Sequence, residues 1–288
     1  MYKQLHIHVK AKDATGLRFC IFFADLSRGL CDNIKIMCTF APVKLIIDIG
    51  NTVAKMIAFR GDEPVDELRA EYGTLSGLDA FVEKHNFCCG IVGAVRDLTA
   101  DEEAALASLT IPMLRFSPDT PIPVSNRYRT PRTLGSDRLA AVIGASSLKP
   151  GKDLLIIDAG TCITYEVIDA RGNYWGGNIA PGMQMRLRAL HEFTARLPLV
   201  EAEGVVPGMG YDTETAIRSG VLRGMKYEIE GYIKSLRSKF PNLLVFLTGG
   251  DKISFDTNII NSIFSDKYLV PRGLNKILDY NEKVKSEE

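Results

Sequence analysis

A chain of 288 residues with 46% hydrophobic and 24% charged side chains carries enough apolar material for one large core or two moderate ones, which excludes a disordered or fibrous chain. Lys+Arg and Asp+Glu both number 35, so no basic field is present to hold a nucleic-acid backbone, and neither nucleic acid nor membrane is expected as a partner. The cysteines (Cys20, Cys31, Cys38, Cys88, Cys89, Cys162) form no Cys-x-x-Cys pair and the four histidines no His-x-x-x-His spacing, so reduced thiols in a cytoplasmic protein are expected rather than a zinc site.

Residues 1–43 differ from the rest of the chain, with three of the six cysteines and weak periodicity. Their longest apolar run, Phe19 to Ala24, stops at Asp25 and is too short for a signal core or a membrane span. They are set apart as an N-terminal extension; disorder and a non-native origin both stay open, and Met37 is a nearer candidate start. A compact apolar strand is predicted over Lys44–Ile49 and an alternating one over Val53–Phe59. A helix over Ser76–Asn86, a buried strand over Cys89–Val95 and an acid-started helix over Thr99–Leu109 come next. After a short strand at Ile111–Phe116, Pro118, Pro121, Pro123 and Pro131 make an irregular loop. Ser136–Leu148 reads as a closely packed helix with small residues, Leu154–Ile157 as a sheet-interior strand, and Cys162–Asp169 as its antiparallel partner, with a turn at Gly172-Asn173. Helices over Pro181–Arg196 and Asp212–Phe240 and a buried strand at Leu243–Leu247 lead to Thr248-Gly249-Gly250-Asp251.

The run KLIIDIGNTVAKMIAFRGD from Lys44 and the run DLLIIDAGTCITYEVIDARGN from Asp153 repeat one design: apolar strand, Asp-x-Gly, a Thr, an alternating strand and a Gly turn. Two related α/β halves, 44–150 and 151–288, each opening on such a hairpin, point to the actin-like ATPase (ribonuclease H-like) fold, with an ATP cleft between duplicated domains.

The hairpin has a physical logic. A glycine turn lets backbone N–H groups approach phosphate oxygens, Asn51, Thr52 and Thr161 add short donors, and Asp48 or Asp158 can hold a hydrated cation beside them. Asp-x-Gly alone is a common turn; two copies after fully apolar strands are the informative feature. No Gly-x-x-x-x-Gly-Lys-Ser/Thr occurs, and Gly208-x-Gly210 lacks the third glycine of a dinucleotide fingerprint. At Ser136-Asp137-Arg138 two readings stay open: a helix N-cap with a charge–dipole contact, or a base, Asp137, kept ionised by the helix start. Arg138 is likewise either a surface ion pair or a planar fork for a substrate carboxylate. Gly176-Gly177 with Pro181-Gly182 is read as pocket lining over a plain turn, and Met183 and Met185 as core or interface residues.

Seven ordered motifs between residues 44 and 275 resemble the type III pantothenate kinases: DIGNTVAK from Asp48, YRTPRTLGSDR from Tyr128, DAGTCITYEV from Asp158, GGNIAPGMQMRLRAL from Gly176, TARLP from Thr194, GYDTETAIRSG from Gly210 and TGGD from Thr248. The resemblance implies ATP-dependent phosphorylation of pantothenate, the first step toward coenzyme A, with magnesium carried by ATP. By matching positions it implies ATP contacts at Asp48, Ile49, Gly50, Asn51, Thr52, Val53, Ala54, Lys55 and Thr161. It implies pantothenate contacts at Tyr128, Gly135, Ser136, Asp137, Arg138 and Thr213, with Asp137 as proton acceptor, and Asp158 as ligand of a monovalent cation, potassium or ammonium. It also implies a homodimer in which Thr213 reaches the partner's site. Met209, Ile217, Val221, Leu222 and Met225 offer apolar surface for that, although a monomer would bury the same stripe in its own core. One strand departs: Gly93-Ala94-Val95 stands where the family often has Ser-Ser-Val-Val. Two rivals remain: a kinase of another small hydroxylated substrate, such as a sugar, and an actin-like nucleotide-binding transcriptional regulator without kinase activity. The Gly-Ser-Asp-Arg element argues against the first, and intact Asp48 and Asp137 against the second.

Overall fold

The computed structural model describes residues 8–13, 16–21, 42–250 and 263–287, and the chain divides into two compact units, Met1–Pro42 and Val43–Glu288. In the first unit, strands β1 (His8–Asp13) and β2 (Gly16–Ile21) pair as an antiparallel hairpin in which His8 faces Ile21. Cys31, Met37, Cys38 and Asp251 lie outside the described residues.

The second unit shows the repeat as duplicated topology. Strands β3 (Val43–Ile49), β4 (Val53–Arg60) and β5 (Glu63–Glu71) form an antiparallel meander, and β6 (Phe87–Ala94) and β7 (Met113–Arg115) extend it in parallel beyond β3. Strands β9 (Leu154–Ala159), β10 (Cys162–Ile168) and β11 (Asn173–Pro181) repeat the meander, and β12 (Leu244–Gly249) and β13 (Ile263–Ser265) repeat the parallel extension beyond β9. A two-residue strand, β8 (Ser125–Asn126), joins the outer edge of β11. The third strand of each meander was not expected. β5 is charged along most of its length, and β11 contains Gly176-Gly177, so neither carries the apolar alternation of a half-buried strand. Gly176-Gly177 therefore lies within a strand and not at a strand-to-helix turn, and the helix after it begins only at Met183.

Helices α1 (Leu78–Lys84) and α2 (Ala100–Ala107) cover one face of the first sheet, and α4 (Met183–Glu192) and α5 (Thr213–Arg237) cover one face of the second. Between the sheets lie α3 (Ser136–Leu148) and α6 (Leu269–Glu287), whose side chains join Ile46 and Ile91 of one sheet to Ile156 and Phe246 of the other. The two helices cross backbone to backbone. A Cβ on Gly144 would run into the Leu269 carbonyl, and one on Gly273 into the Ala140 carbonyl, so neither position admits a side chain. At the foot of β3, Lys44 pairs with Asp279 and, at 3.5 Å, with Glu282, tying α6 to the first sheet. The apolar stripe of α5 is buried in the chain's own core: Ile217, Val221 and Met225 pack on Leu155, Ile157 and Leu187, so it is not free surface for a partner. No described helix is long and apolar enough to cross a membrane.

Candidate active site

Strand alternation explains how the two acids come together. In β3, Leu45, Ile47 and Ile49 enter the outer core, so Lys44, Ile46 and Asp48 face inward; in β9, Leu155 and Ile157 face outward, so Leu154, Ile156 and Asp158 face inward. Each acid is thus the last inward residue of an apolar strand, next to its turn. Both line one cavity of about 590 Å³, together with Gly50, Asn51, Thr52 and Val53 of the first turn, Lys55 of β4, and Gly160 and Thr161 of the second turn. The turns are closed alike, Gly50 N–H donating to the Val53 carbonyl at 3.1 Å and Gly160 N–H to the Cys162 carbonyl at 3.0 Å. They differ in length. Four residues, 50–53, lie between the paired Ile49 and Ala54, and three, 160–162, between the paired Ala159 and Ile163. Ile49 and Ala54 are buried in the outer core, so any contact they make with a ligand is through the backbone.

Gly182, the N-cap of α4, donates its N–H to the Thr161 carbonyl at 3.1 Å, and a Cβ there would overlap Gly160 and Thr161. The start of α4 is thereby held directly on the second turn. Asp48 is nearly inaccessible. Burial raises its carboxyl above the usual range, Lys55 pulls it back, with Nζ 3.6 Å from Oδ2, and the nearby Asp137 raises it further.

The start of α3 enters the same cavity. Its N-cap is Gly135, which has no side chain to cap with; Ser136 is already the first helical residue, and its hydroxyl donates to the Ala94 carbonyl at 2.7 Å and ties the helix start to β6. Asp137 accepts the Arg138 backbone N–H at 2.7 Å, so the helix start does contact the carboxylate. Burial nevertheless outweighs that contact and raises the Asp137 carboxyl above its ordinary value, opposite to the effect expected of the helix start alone. Arg138 is not at the surface: it is 6% exposed, with Nε 2.5 Å and Nη2 2.9 Å from the two oxygens of the fully buried Glu166. One edge of its fork is therefore occupied by a protein carboxylate.

Other expected residues fall elsewhere. Ser136 lines a second cavity of about 560 Å³ that shares Val95, Thr133 and Gly135 with the first. Tyr128 lines neither; its ring stacks on Tyr174 with centroids 6.3 Å apart and lies under the Arg138 guanidinium. Thr213, the first residue of α5, is exposed and away from both cavities. Gly176-Gly177 lines neither, although Ile179 of the same strand lines the first. The departing segment forms part of the wall. Val95 borders both cavities, Ala94 receives Ser136, and a Cβ on Gly93 would press on Leu274 of α6 at 2.9 Å.

Sequence reading missed two cavity cations, Arg69 and Lys267, both bonded to Glu67 at 2.6 and 3.1 Å. Arg69 lies opposite Lys55 across β4 and β5, a neighbour visible only once β5 is known to be a strand. Among the described residues no group of three or more His, Cys, Asp or Glu forms a metal cluster; the cavity offers instead oxygen donors on Asp48, Asp158, Thr161, Thr164 and Thr248, which suit hard cations.

A sequence model described as type III pantothenate kinase matches residues 44–235. The type III pantothenate kinase of Bacteroides fragilis is 54% identical over 239 residues, covering 83% of this chain and 98% of its own length. That of Phocaeicola vulgatus is 51% identical over 242 residues, covering 84% and 100%. Among solved structures, a Campylobacter jejuni protein provisionally described as a Baf family transcriptional activator aligns with TM-score 0.54 at 22% identity, over 83% of this chain and 99% of its own. A Listeria monocytogenes protein provisionally described as an N-acetylmannosamine kinase aligns with TM-score 0.50 at 16% identity, over 84% and 99%. At such identities the structural likeness speaks to the fold alone, which is the actin-like ATPase fold.

Proposed function

We infer the chemistry from kinship: the chain belongs to the type III pantothenate kinase family. It is a kinase that phosphorylates pantothenate with ATP to 4'-phosphopantothenate in coenzyme A biosynthesis. We propose further that Asp137 is the base. In this reading the primary hydroxyl of pantothenate attacks the γ-phosphorus, its proton passes to an Asp137 oxygen, and the bond from the γ-phosphorus to the bridging oxygen breaks to release ADP. The observation that carries the reading is that Asp137 lines the same cavity as both phosphate-type turns. Burial supports it, because a carboxyl with a raised pKa is a stronger base once ionised.

The backbone around Gly50 and Gly160, with Asn51, Thr52 and Thr161, would cradle the phosphates, and Lys55, Arg69 and Lys267 would offset their charge. Magnesium arriving with ATP would neutralise phosphate charge, and the oxygen donors of the cavity fit it, with Asp48 the residue to hold its hydration shell. Asp158, beside Thr161, Thr164 and Thr248, would hold a potassium or ammonium ion, for which carboxylate and hydroxyl oxygens are suitable donors. Pantothenate would lie along Gly135–Arg138, where the two cavities meet, and Tyr128, which lines neither, would act on it only from behind the Arg138 guanidinium. The two halves 44–150 and 151–288 would act as the actin-like domains, with α6 crossing back to pack on β3 and β6.

The active unit in this proposal is a homodimer. Its support is exposed apolar surface on the segment leading into α5, where Phe193 and Met209 are 84% and 86% exposed and Val205 and Tyr211 lie close in sequence to Thr213. A cytoplasmic setting accords with the free thiols of Cys88, Cys89 and Cys162. A coupled ADP-release assay with pantothenate against a panel of sugars tests the substrate assignment; turnover of a sugar without turnover of pantothenate would overturn it.

A further inference from the structure

Arg138 reaches the cavity, but the groups that hold it lie outside. Glu166 of β10 and Tyr174 of β11 are both fully buried, and neither lines the cavity. Glu166 receives Nε of Arg138 at 2.5 Å and Nη2 at 2.9 Å, and its Oε2 also accepts the Tyr174 hydroxyl at 2.6 Å. The Tyr174 ring in turn stacks on Tyr128, 18° from parallel, and Tyr128 lies 5.4 Å from the guanidinium carbon. On the neighbouring strand the residue facing Glu166 is Gly177, and a Cβ there would stand 2.5 Å from Oε2. The carboxylate and the hydroxyl are thus bonded to one another, while the glycine is required first by the Tyr165 carbonyl, which a Cβ would overlap.

Stability alone is a weak reason for this arrangement. A buried ion pair loses in desolvation about what it gains in attraction, and apolar replacements of similar volume are often neutral or better. A bidentate carboxylate does one thing an apolar group cannot: it fixes the plane and roll of a guanidinium. With Nε and one Nη2 hydrogen committed, a second carboxylate can be met only by the remaining N–H groups, in a direction that Glu166 determines.

We propose that Glu166 is a positioning residue for recognition of the substrate's carboxylate. It holds the Arg138 guanidinium at the angle from which that group meets the carboxylate of pantothenate, and Tyr174 locks Glu166. The proposal rests on the reading of Arg138 as the partner of that carboxylate.

The experiment compares pantothenate with pantothenyl alcohol, its carboxylate-free analogue, the latter measured as a substrate or as a competitive inhibitor. For Glu166→Gln the KM for pantothenate is expected to rise on the order of tenfold, with kcat and the KM for ATP within about twofold and the alcohol unaffected, because only carboxylate geometry is lost. The double variant Arg138→Gln/Glu166→Gln, which leaves no orphaned buried charge, is expected to lose the preference for pantothenate over the alcohol altogether. Persistence of that preference in the double variant would overturn the role of Arg138 itself. A double variant without preference beside a Glu166→Gln enzyme of wild-type KM would overturn the positioning role and leave Arg138 standing. Equal losses for both compounds and for ATP would mean that the pair is structural. If Glu166→Gln does not fold, Tyr174→Phe removes only the hydroxyl; a KM for pantothenate raised about threefold supports the proposal, and a wild-type KM refutes it.

Discussion

Replacing Gly144 by alanine should damage both stability and turnover from a position that touches no substrate. The new Cβ would lie inside contact distance of the Leu269 carbonyl oxygen and 3.1 Å from the Gly273 nitrogen, whereas ordinary contacts begin at 3.4 Å. These obstacles are backbone atoms of a packed helix, so α3 and α6 must separate by on the order of 1 Å. Overpacking of that kind costs about 1–3 kcal/mol. For a unit the size of Val43–Glu288, at roughly 2–4 °C per kcal/mol, the melting temperature should fall by about 2–12 °C. The displaced helix also carries Asp137 and Arg138 at its other end, and a misplacement near 1 Å can reduce rate by about a hundredfold, so kcat/KM should drop about 10- to 100-fold. Gly231→Ala is the control. It sits exposed in α5 with nothing within 4 Å of a built Cβ, so it should stabilise by about 0.5–1 kcal/mol through helix propensity. Thermal denaturation and the coupled assay on both variants decide the matter. A Gly144→Ala enzyme that melts within a degree of wild type with full activity would refute the claim that the helix crossing is closed to a methyl group.

Asp137→Asn should lower kcat about 10²- to 10⁴-fold. Burial raises its pKa in the fold, so its contribution to stability is present below the ordinary value of 3.8 and is lost as pH rises through the folded value; at neutral pH the variant should melt no lower than wild type. The acid limb of the wild-type kcat/KM profile should lie above the pH expected of an exposed aspartate, and a variant with near-normal turnover would return Asp137 to a purely structural part. Thr99→Ala should cost about 1 kcal/mol and leave turnover unchanged, because the Thr99 hydroxyl accepts the Glu102 N–H while Glu102 accepts the Thr99 N–H at 2.9 Å; unchanged melting would contradict that box. Activity should require potassium or ammonium and Asp158→Ala should abolish the dependence along with most turnover, whereas equal rates in sodium and potassium buffers would count against a site there. Asp137→Asn and Thr213→Trp should each be inactive alone yet recover activity when mixed and co-refolded, since a hybrid dimer gathers both lesions in one site; a dead mixture with demonstrated hybrids would mean each site is built within one chain.

The duplicated hairpin, the apolar strands that carry it and the helix at Ser136–Leu148 were legible in the residues alone, because these are local patterns: period-two burial, Asp-x-Gly turns and small residues at helical spacing. The family motifs were legible too, since they are contiguous words. Hidden from such reading were β5 and β11, whose charged and glycine-rich stretches become strands only because a neighbouring strand supplies the ladder. The final helix, α6, had a legible apolar stripe in Val270, Leu274, Ile277 and Leu278, but Pro271 reads as a breaker until the helix start is known to lie just before it, where proline is tolerated. What Arg138 touches, which way α5 turns its stripe and that burial rather than the helix start governs Asp137 came only with the packed chain. Each depends on atoms far apart in the sequence, Glu166 for Arg138 and the second sheet for α5, and on how much water the packed sheets exclude.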